Sequence, residues 1–591
     1  MKKILIIILL IKFFLIQNSY STENFYNFKY TKEDLKNIKR EWQYNSGILK
    51  DTQNKIIQFK DKLIHLDGYK NLIIISILDG KEICRNEGKK DRAPFRGVSL
   101  YISENDVYAV FIRQNVLQLI NIKNCNSHEL ANKIKVEGVS APILIHKSKA
   151  VILPNGGKPQ AYNLKNGDLL WKVSIDDKIK KNLKKFNLNK EFSWDVWGGG
   201  TLDLKYNQVI FSTANAKPSF VSENREGPNL FYNSVVAIDL NSGRYNWHFQ
   251  EIEHDVLNLD LASRPALYDA DDGDIIIQAS KAGQLILLDR KTGIPKENFI
   301  EKTYYHDENK KIFTKFKKFE NWLQFSKLHF KQNDINTLNE DFKSEAQEII
   351  EKSTIADYRR LEKSKNYIHY GMHGGSEWPG IGVDINGNVI IPASNIAWVS
   401  KLKDPKDFNF SYHMNKIFGS ILELFTLDFI KFKQNAKIII NNLKEIIYFN
   451  KLDIEKYKRF ETKDGIPLNA PPWGTVTLID LKNKIIKWTR PHGKYDKIKN
   501  KYSNTGSEVF GCPVIVGSEV FFISGTRDKT IYAYDMKNGN ILWEDELPFI
   551  SYGCPIVATY KNNHYLIIDA SGGRKFTDAG YGDAILSYKL K

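Results

Sequence analysis

WDVWGGGTLDLKYNQVIFSTANAKPSFVSENREGPNLFYNSVVAIDLNSGRYNWHFQEIEHDVLNLDLASRP, residues 194–265, decides how this chain is read. A tryptophan leads into three glycines, Gly198, Gly199 and Gly200, where a backbone without Cβ lets another group come close. NQVIFSTAN is strand-like and ends on Asn215, a neutral oxygen donor. SVVAIDLNSGRYNWHFQ then reads as two strands joined by a Ser-Gly turn. A loop follows that carries His254, Asp255, Asn258 and Asp260.

The strand–turn–strand unit recurs along the chain. Alternating apolar residues, A-x-D or its like, a turn with Gly and a Trp four residues on appear as AYNLKNGDLLW (161–171), AIDLNSGRYNW (237–247) and AYDMKNGNILW (533–543). LIDLKNKIIKW, LLDRKTGIP and SILDGKEIC are weaker copies. Repetition of a hairpin with one large aromatic predicts stacked antiparallel sheets with tryptophan buried between neighbours, an all-β propeller.

The order of the matched segments resembles the quinoprotein dehydrogenases, which use pyrroloquinoline quinone (PQQ). That family shows W-G-G-G, T-G-N, R-x-G-x-N-L-Y, S-x-x-A-L-D-x-x-T-G-x-x-x-W-x-x-Q and H-D-x-W-D-x-D in turn. Here they read WGGG, STAN, REGPNLF, SVVAIDLNSGRYNWHFQ and HDVLNLD. The resemblance runs from about Lys70 to Leu590, nearest the glucose- and polyol-dehydrogenase branch, and implies an eight-bladed β-propeller over 70–591. It also implies site residues. Lys281, in the intact K-x-G-x-x-x-x-L-D-R pattern, would reach the quinone oxygens. Arg96 of R-G-V would pair with a PQQ carboxylate. Gly199 of the triplet, Trp378 of GMHGGSEWP and Trp473 of PPWG would line the cofactor. Asn215 aligns with a metal-binding asparagine, suited to calcium or a lanthanide. The acidic loop expected before the first repeat is contracted to ILPNGGKPQAYN, without Asp or Glu, and the Asp that ends H-D-x-W-D is Asn258. An amide cannot accept a substrate proton, so Asp260, two residues on, is the expected replacement as base or metal ligand. His254 and Asp255 are given structural roles.

The flanking segments carry further expectations. Met1 to Ser21 opens with two lysines, followed by an apolar run and Ser-Tyr-Ser; it reads as a secretory signal or an uncleaved anchor, and predicts a periplasmic protein. Residues 22–69 form an N-terminal segment, with TKEDLKNIKREWQ read as a capped helix. AILSYKL near the C-terminus is expected to pair with N-terminal strands and close the ring. Two insertions, at about 313–367 and 401–464, read as helical, and 415–450 is either a helix on the propeller face or a membrane-surface contact. Cys512 (FGCPVIV) and Cys554 (YGCPIVA) sit in matching contexts and either bridge or stay separate buried thiols. Cys84 and Cys125 share less. The net charge of +17 is spread along the chain rather than gathered in blocks, which argues against nucleic acid as a partner.

Two functions follow. One is an exported dehydrogenase that oxidises a sugar, polyol or alcohol with PQQ. It would pass electrons to a separate quinone or cytochrome, since no C-x-x-C-H haem motif occurs. The other is a non-catalytic propeller used as a docking scaffold. A related propeller that scaffolds outer-membrane assembly lacks the WGGG and GGSEWP turns.

Overall fold

The computed structural model describes residues 30–590, apart from 92–94, 131–132, 137, 178–179, 182–193, 223–224, 272, 311, 403–409, 424–434, 437, 441–442, 444–453, 574 and 577–578. The leader expected at 1–21 and much of 415–450 lie outside the described residues.

The fold is almost entirely β. Ten sheets form among the described residues, and two of them, one of 252–253 with 299–305 and 313–319 and the other of 353–355, 366–369, 398–402 and 454–459, draw strands from the inserted segments. The other eight are antiparallel stacks of three or four strands, in which most neighbouring strands are consecutive in the chain. They follow the chain as 57–86, 99–121, 144–172, 200–250, 266–289, 382–491, 514–546 and 556–589. The last gains a strand from the other end of the chain, because Lys39–Asn45 pairs antiparallel with Tyr581–Lys589. The sheets therefore begin at residue 39, well before the boundary drawn from sequence at 70.

Burial explains the repeat. The inner strands are the more enclosed, wholly so in Gln208–Ser212 and Gly474–Asp480. The outer strand is exposed except at its tryptophan: in Leu169–Lys172 only Trp171 is buried. Each such ring lies on a turn glycine of the next sheet. A Cβ on Gly243 would meet the Trp171 ring at 2.5 Å, one on Gly293 the Trp247 ring at 2.2 Å, and one on Gly539 the Trp488 ring at 2.7 Å. The indole N–H of Trp171 also donates to the Leu240 carbonyl and that of Trp488 to Met536, each three residues before the glycine. Trp42, on the N-terminal strand of the last sheet, meets Gly80 of the first at 2.6 Å and donates to Ile77 in the same way. Trp543 differs. The sheet after it ends without the glycine turn, and the ring meets Tyr588 edge-on with centroids 5.7 Å apart.

Local helix signals hold over shorter spans than the sequence suggests. TKEDLKNIKREWQ is a 3-10 helix only over Lys32–Asn37, after which Lys39–Asn45 is strand. Pairing with the C-terminal strand outweighs helix propensity there. In the first insertion the helix is Glu340–Glu351, capped by the Asn339 side chain, whereas Phe313–Phe319 is a strand paired with Phe299–Tyr305. The second insertion contributes a helix, Phe410–Glu423, and a strand, Ile454–Arg459, added beside Trp398–Leu402. Among the described residues no helix is long and apolar enough to cross a membrane.

Both cysteine pairs are disulfides. Cys512 and Cys554 lie just before the first strands of adjacent sheets with Cα atoms 5.0 Å apart, and Cys84–Cys125 joins the first sheet to the second with Cα atoms 5.9 Å apart.

Candidate cofactor site

Loops that enter the first strands of several sheets converge on one cavity. Lys55, Arg96, Gly198, Arg264, Trp378 and Cys554 line it, each lying just before the first strand of a different sheet. Gly198 makes the close approach: a Cβ there would sit 2.0 Å from the Ala262 carbonyl oxygen. Gly199 is needed instead for its backbone, at φ +112°, with its nearest neighbours at ordinary contact distance.

Arg96 is held by aromatic faces. Its guanidinium carbon lies 4.9 Å from the Trp197 ring centre and 5.0 Å from that of Trp378, and Nη1 donates to the Trp197 carbonyl at 2.9 Å. Such cation–π contacts fix the planar group without neutralising it. Burial lowers its pKa to about 10, opposed by the charge of Glu377. Lys55 is likewise pushed down to about 8 by burial and by neighbouring Arg264. Lys575 reaches in from the last sheet, 5.2 Å from the Trp378 ring, with burial lowering it to about 8.

Asp260 and Lys281 form a buried pair linked to Arg96 through the Trp197 ring. Asp255 accepts the backbone N–H groups of Leu257 and Leu259 at 2.8 and 2.6 Å, which folds the 254–260 loop. Asp260 then accepts the Asn215 N–H through Oδ1 and the Lys281 ammonium through Oδ2, both at 2.6 Å. Burial opposes ionisation of Asp260, but the Lys281 and Lys217 ammoniums hold its carboxyl below the usual range. Lys281 Nζ also lies 3.7 Å from Glu377 Oε1 and 5.3 Å from the Trp197 ring centre. Behind this cluster His373 contacts Glu508, which is bound by Arg459 at 3.1 Å.

Lys281, Asp260, Asn215, Arg96 and Trp378 are thus linked through one constellation. Asn258 stands aside: its backbone is left-handed at φ +60°, so the spacing of two does not turn it with Asp260, and its amide N–H₂ meets Met372 Sδ at 3.0 Å. Trp473 is fully enclosed in a separate cluster with Ile396, Ile466 and Tyr495, its N–H donating to the Asn469 carbonyl. Glu377 escaped the sequence reading although it sits inside the quoted GMHGGSEWP turn. A charged residue between Ser and Trp there was the available signal.

The donor atoms discriminate between the two groups implied by the resemblance. A flat tricarboxylate such as PQQ fits: Arg96, Lys55 and Arg264 face the cavity, aromatic faces flank it, and Arg96 Nε and Trp378 Nε1 are buried without hydrogen-bond partners. A calcium or lanthanide ion does not. Asn215 Oδ1 accepts the Lys217 ammonium at 3.0 Å, Asp260 Oδ2 accepts Lys281, and no cluster of three acidic, His or Cys ligands occurs among the described residues.

The comparisons with known proteins agree on the scaffold. The family model for the PQQ-type glucose/ethanol/alcohol dehydrogenase β-propeller domain matches residues 143–566. The quinate/shikimate dehydrogenase (quinone) of Acinetobacter baylyi is 25% identical over 456 residues, covering 74% of this chain and 54% of that protein. The quinoprotein glucose dehydrogenase of Escherichia coli is 23% identical over 473 residues, covering 73% and 54%. The chain thus spans about half the length of these relatives. The quinohemoprotein alcohol dehydrogenase of Comamonas testosteroni superposes with a TM-score of 0.64 at 16% identity, over 95% of this chain and 77% of that one. A europium-containing methanol dehydrogenase gives 0.64 at 12% identity over 95% of each chain. At these identities the superpositions bear on fold alone. With the family model covering most of the chain and the repeats, turns and cavity in place, this protein belongs to the PQQ-type quinoprotein dehydrogenase β-propeller family.

Proposed function

We propose that the chain is an exported PQQ-dependent dehydrogenase. It oxidises a sugar, polyol or alcohol and hands the electrons to a separate quinone or cytochrome. The eight radial sheets form one closed ring in this reading, supported by the Trp42–Gly80 contact between the last sheet and the first. Two disulfides suit an oxidising compartment such as the periplasm. The printed names of the relatives, glucose and quinate/shikimate dehydrogenases, support a hydroxylated substrate.

The observation that carries the proposal is the cationic, aromatic-walled cavity with Arg96 fixed against two indoles. When bound, PQQ supplies a two-electron acceptor for the carbinol carbon of the substrate. Arg96, Lys55 and Arg264 would pair with its carboxylates, and Lys281, oriented by Asp260, would face its quinone end. Enclosure by loops from several sheets excludes water and strengthens each of these charges.

Titration of the purified protein with PQQ, followed by quenching of tryptophan fluorescence, tests the assignment. Saturation near one PQQ per chain is expected, with dye reduction on addition of a hydroxylated substrate. Absence of binding would overturn the reading and leave a docking scaffold.

A further inference from the structure

Oxidation of an alcohol requires a group to take the hydroxyl proton, and position 258, where the matched pattern has a carboxylate, is an amide. Two carboxylates face Lys281 instead. Asp260 has both oxygens engaged, one by the Asn215 N–H and one by Lys281 itself. Glu377 is the opposite case. Its side chain is 3% exposed, and neither carboxylate oxygen accepts a hydrogen bond. Buried polar groups are almost always satisfied, so a carboxylate left with both oxygens open marks a place where something else docks.

The surrounding backbone is shaped to hold it there. The GGSEWP turn lies directly on the Lys281 turn: a Cβ on Gly375 would meet the carbonyl oxygens of Ser280 and Lys281 at 2.4 and 2.5 Å, and the Ser376 N–H donates to the Ser280 carbonyl. Gly375 is also left-handed at φ +60°, so only glycine suits it on both counts. The next residue after Glu377 is Trp378, whose ring lines the cavity beside Arg96. The carboxylate is thereby held 3.7 Å from the Lys281 ammonium, on a turn whose next two residues, Trp378 and Pro379, line the cofactor cavity.

We propose that Glu377 is the proton acceptor of this site, a relocated counterpart of the carboxylate that Asn258 lacks. The inference rests on the dehydrogenase reading above. In the step, the substrate O–H bond breaks and its proton goes to Glu377. The carbinol C–H bond breaks and its hydrogen leaves with the electron pair to bound PQQ. The substrate becomes a carbonyl compound, oxidised by two electrons as PQQ is reduced by two. Glu377 then releases the proton to solvent, and the separate quinone or cytochrome reoxidises the cofactor. Burial raises the Glu377 carboxyl above the ordinary range; Lys281, Lys575 and Arg96 oppose this and Asp260 reinforces it. A base tuned upward toward the working pH is the useful kind.

Glu377→Gln tests this with two readouts. The variant keeps the shape and removes proton acceptance. Loaded with PQQ, its dye reduction is expected to fall by ~10²–10⁴-fold while tryptophan quenching shows PQQ bound as tightly as in the wild type or more so. In the wild type, PQQ affinity weakens with rising pH as Glu377 ionises beside a polyanion; in the Gln variant that dependence is lost. A Gln variant with wild-type turnover overturns the assignment while leaving the dehydrogenase reading standing. A wild type that binds PQQ yet oxidises no alcohol, polyol or sugar sinks both. Should the Gln protein not fold, Glu377→Asp serves: a set-back carboxylate is expected to bind PQQ normally with reduced turnover and a shifted acid limb, and an unchanged rate and profile overturn the proposal.

Discussion

At the scale of single residues, Lys281 is the pivot of the site. One ammonium serves two buried carboxylates, in direct contact with Asp260 and 3.7 Å from Glu377. Lys281→Met removes the countercharge from both, and breaking a buried pair in this way typically costs ~3–5 kcal/mol. Urea unfolding of the variant is expected to show a loss of that order together with loss of PQQ quenching; an unchanged midpoint would mean the pair contributes nothing. A second buried charge predicts pH behaviour. Burial opposes ionisation of Glu508, but Arg459 and then His373 override it and lower its pKa from the ordinary 4.5 to about 2. A depressed carboxyl contributes stability that is present above its unfolded value and lost as pH falls through the folded one. Melting temperature is therefore expected to drop between about pH 4.5 and pH 2, and Glu508→Gln, already destabilised at neutral pH, should drop less.

At the scale of elements, the unit that builds the molecule is a tryptophan on an outer strand and a glycine in the next sheet's turn. The pairs Trp171–Gly243, Trp247–Gly293, Trp488–Gly539 and Trp42–Gly80 share it. Gly243 is left-handed at φ +69° and has no room for a Cβ. Gly243→Ala thus meets a backbone cost of ~1–2 kcal/mol and a clash besides. Trp171→Ala empties the same interface and is expected to cost ~3–5 kcal/mol. Thermal melts should place the two variants on the same side of the wild type, with Trp543→Ala, whose ring has no glycine to dock on, the mildest. Equal losses at Trp171 and Trp543 would argue that docking on glycine adds nothing.

At the scale of the whole molecule, both chain ends meet in one sheet. The Lys39–Asn45 strand covers the edge of Tyr581–Lys589 and carries the Trp42 that reaches the first sheet. Deleting residues 30–46 uncovers that edge, and an exposed strand edge templates association. Light scattering is expected to show concentration-dependent aggregation of the deletion; a monomeric, equally stable product would mean the strand is dispensable. The disulfides act at the same scale. Each closes a loop of about forty residues between adjacent sheets, and reduction is expected to lower stability by ~2–4 kcal/mol per bridge. Loss of Cys512–Cys554 should also weaken PQQ binding, because Cys554 lines the cavity.

The sequence by itself determined the repeat, the sheets and the family, because period-two alternation, turn glycines and buried tryptophans are local consequences of packing one sheet on the next. It also marked Lys281, Arg96, Asp260 and Trp378, which stand in motifs with fixed offsets. Tertiary structure decided what local pattern cannot encode. Helix propensity at Lys39–Asn45 yields to a partner strand more than five hundred residues away. The Cys84–Cys125 bridge joins two contexts with little in common in sequence, brought together by the stacking of their sheets. Asn258 and Asp260 part because one left-handed residue breaks the alternation on which their spacing relied. Glu377 becomes conspicuous only once its turn lies on that of Lys281, since burial without a hydrogen-bond partner is a property of the assembled site and of no segment alone.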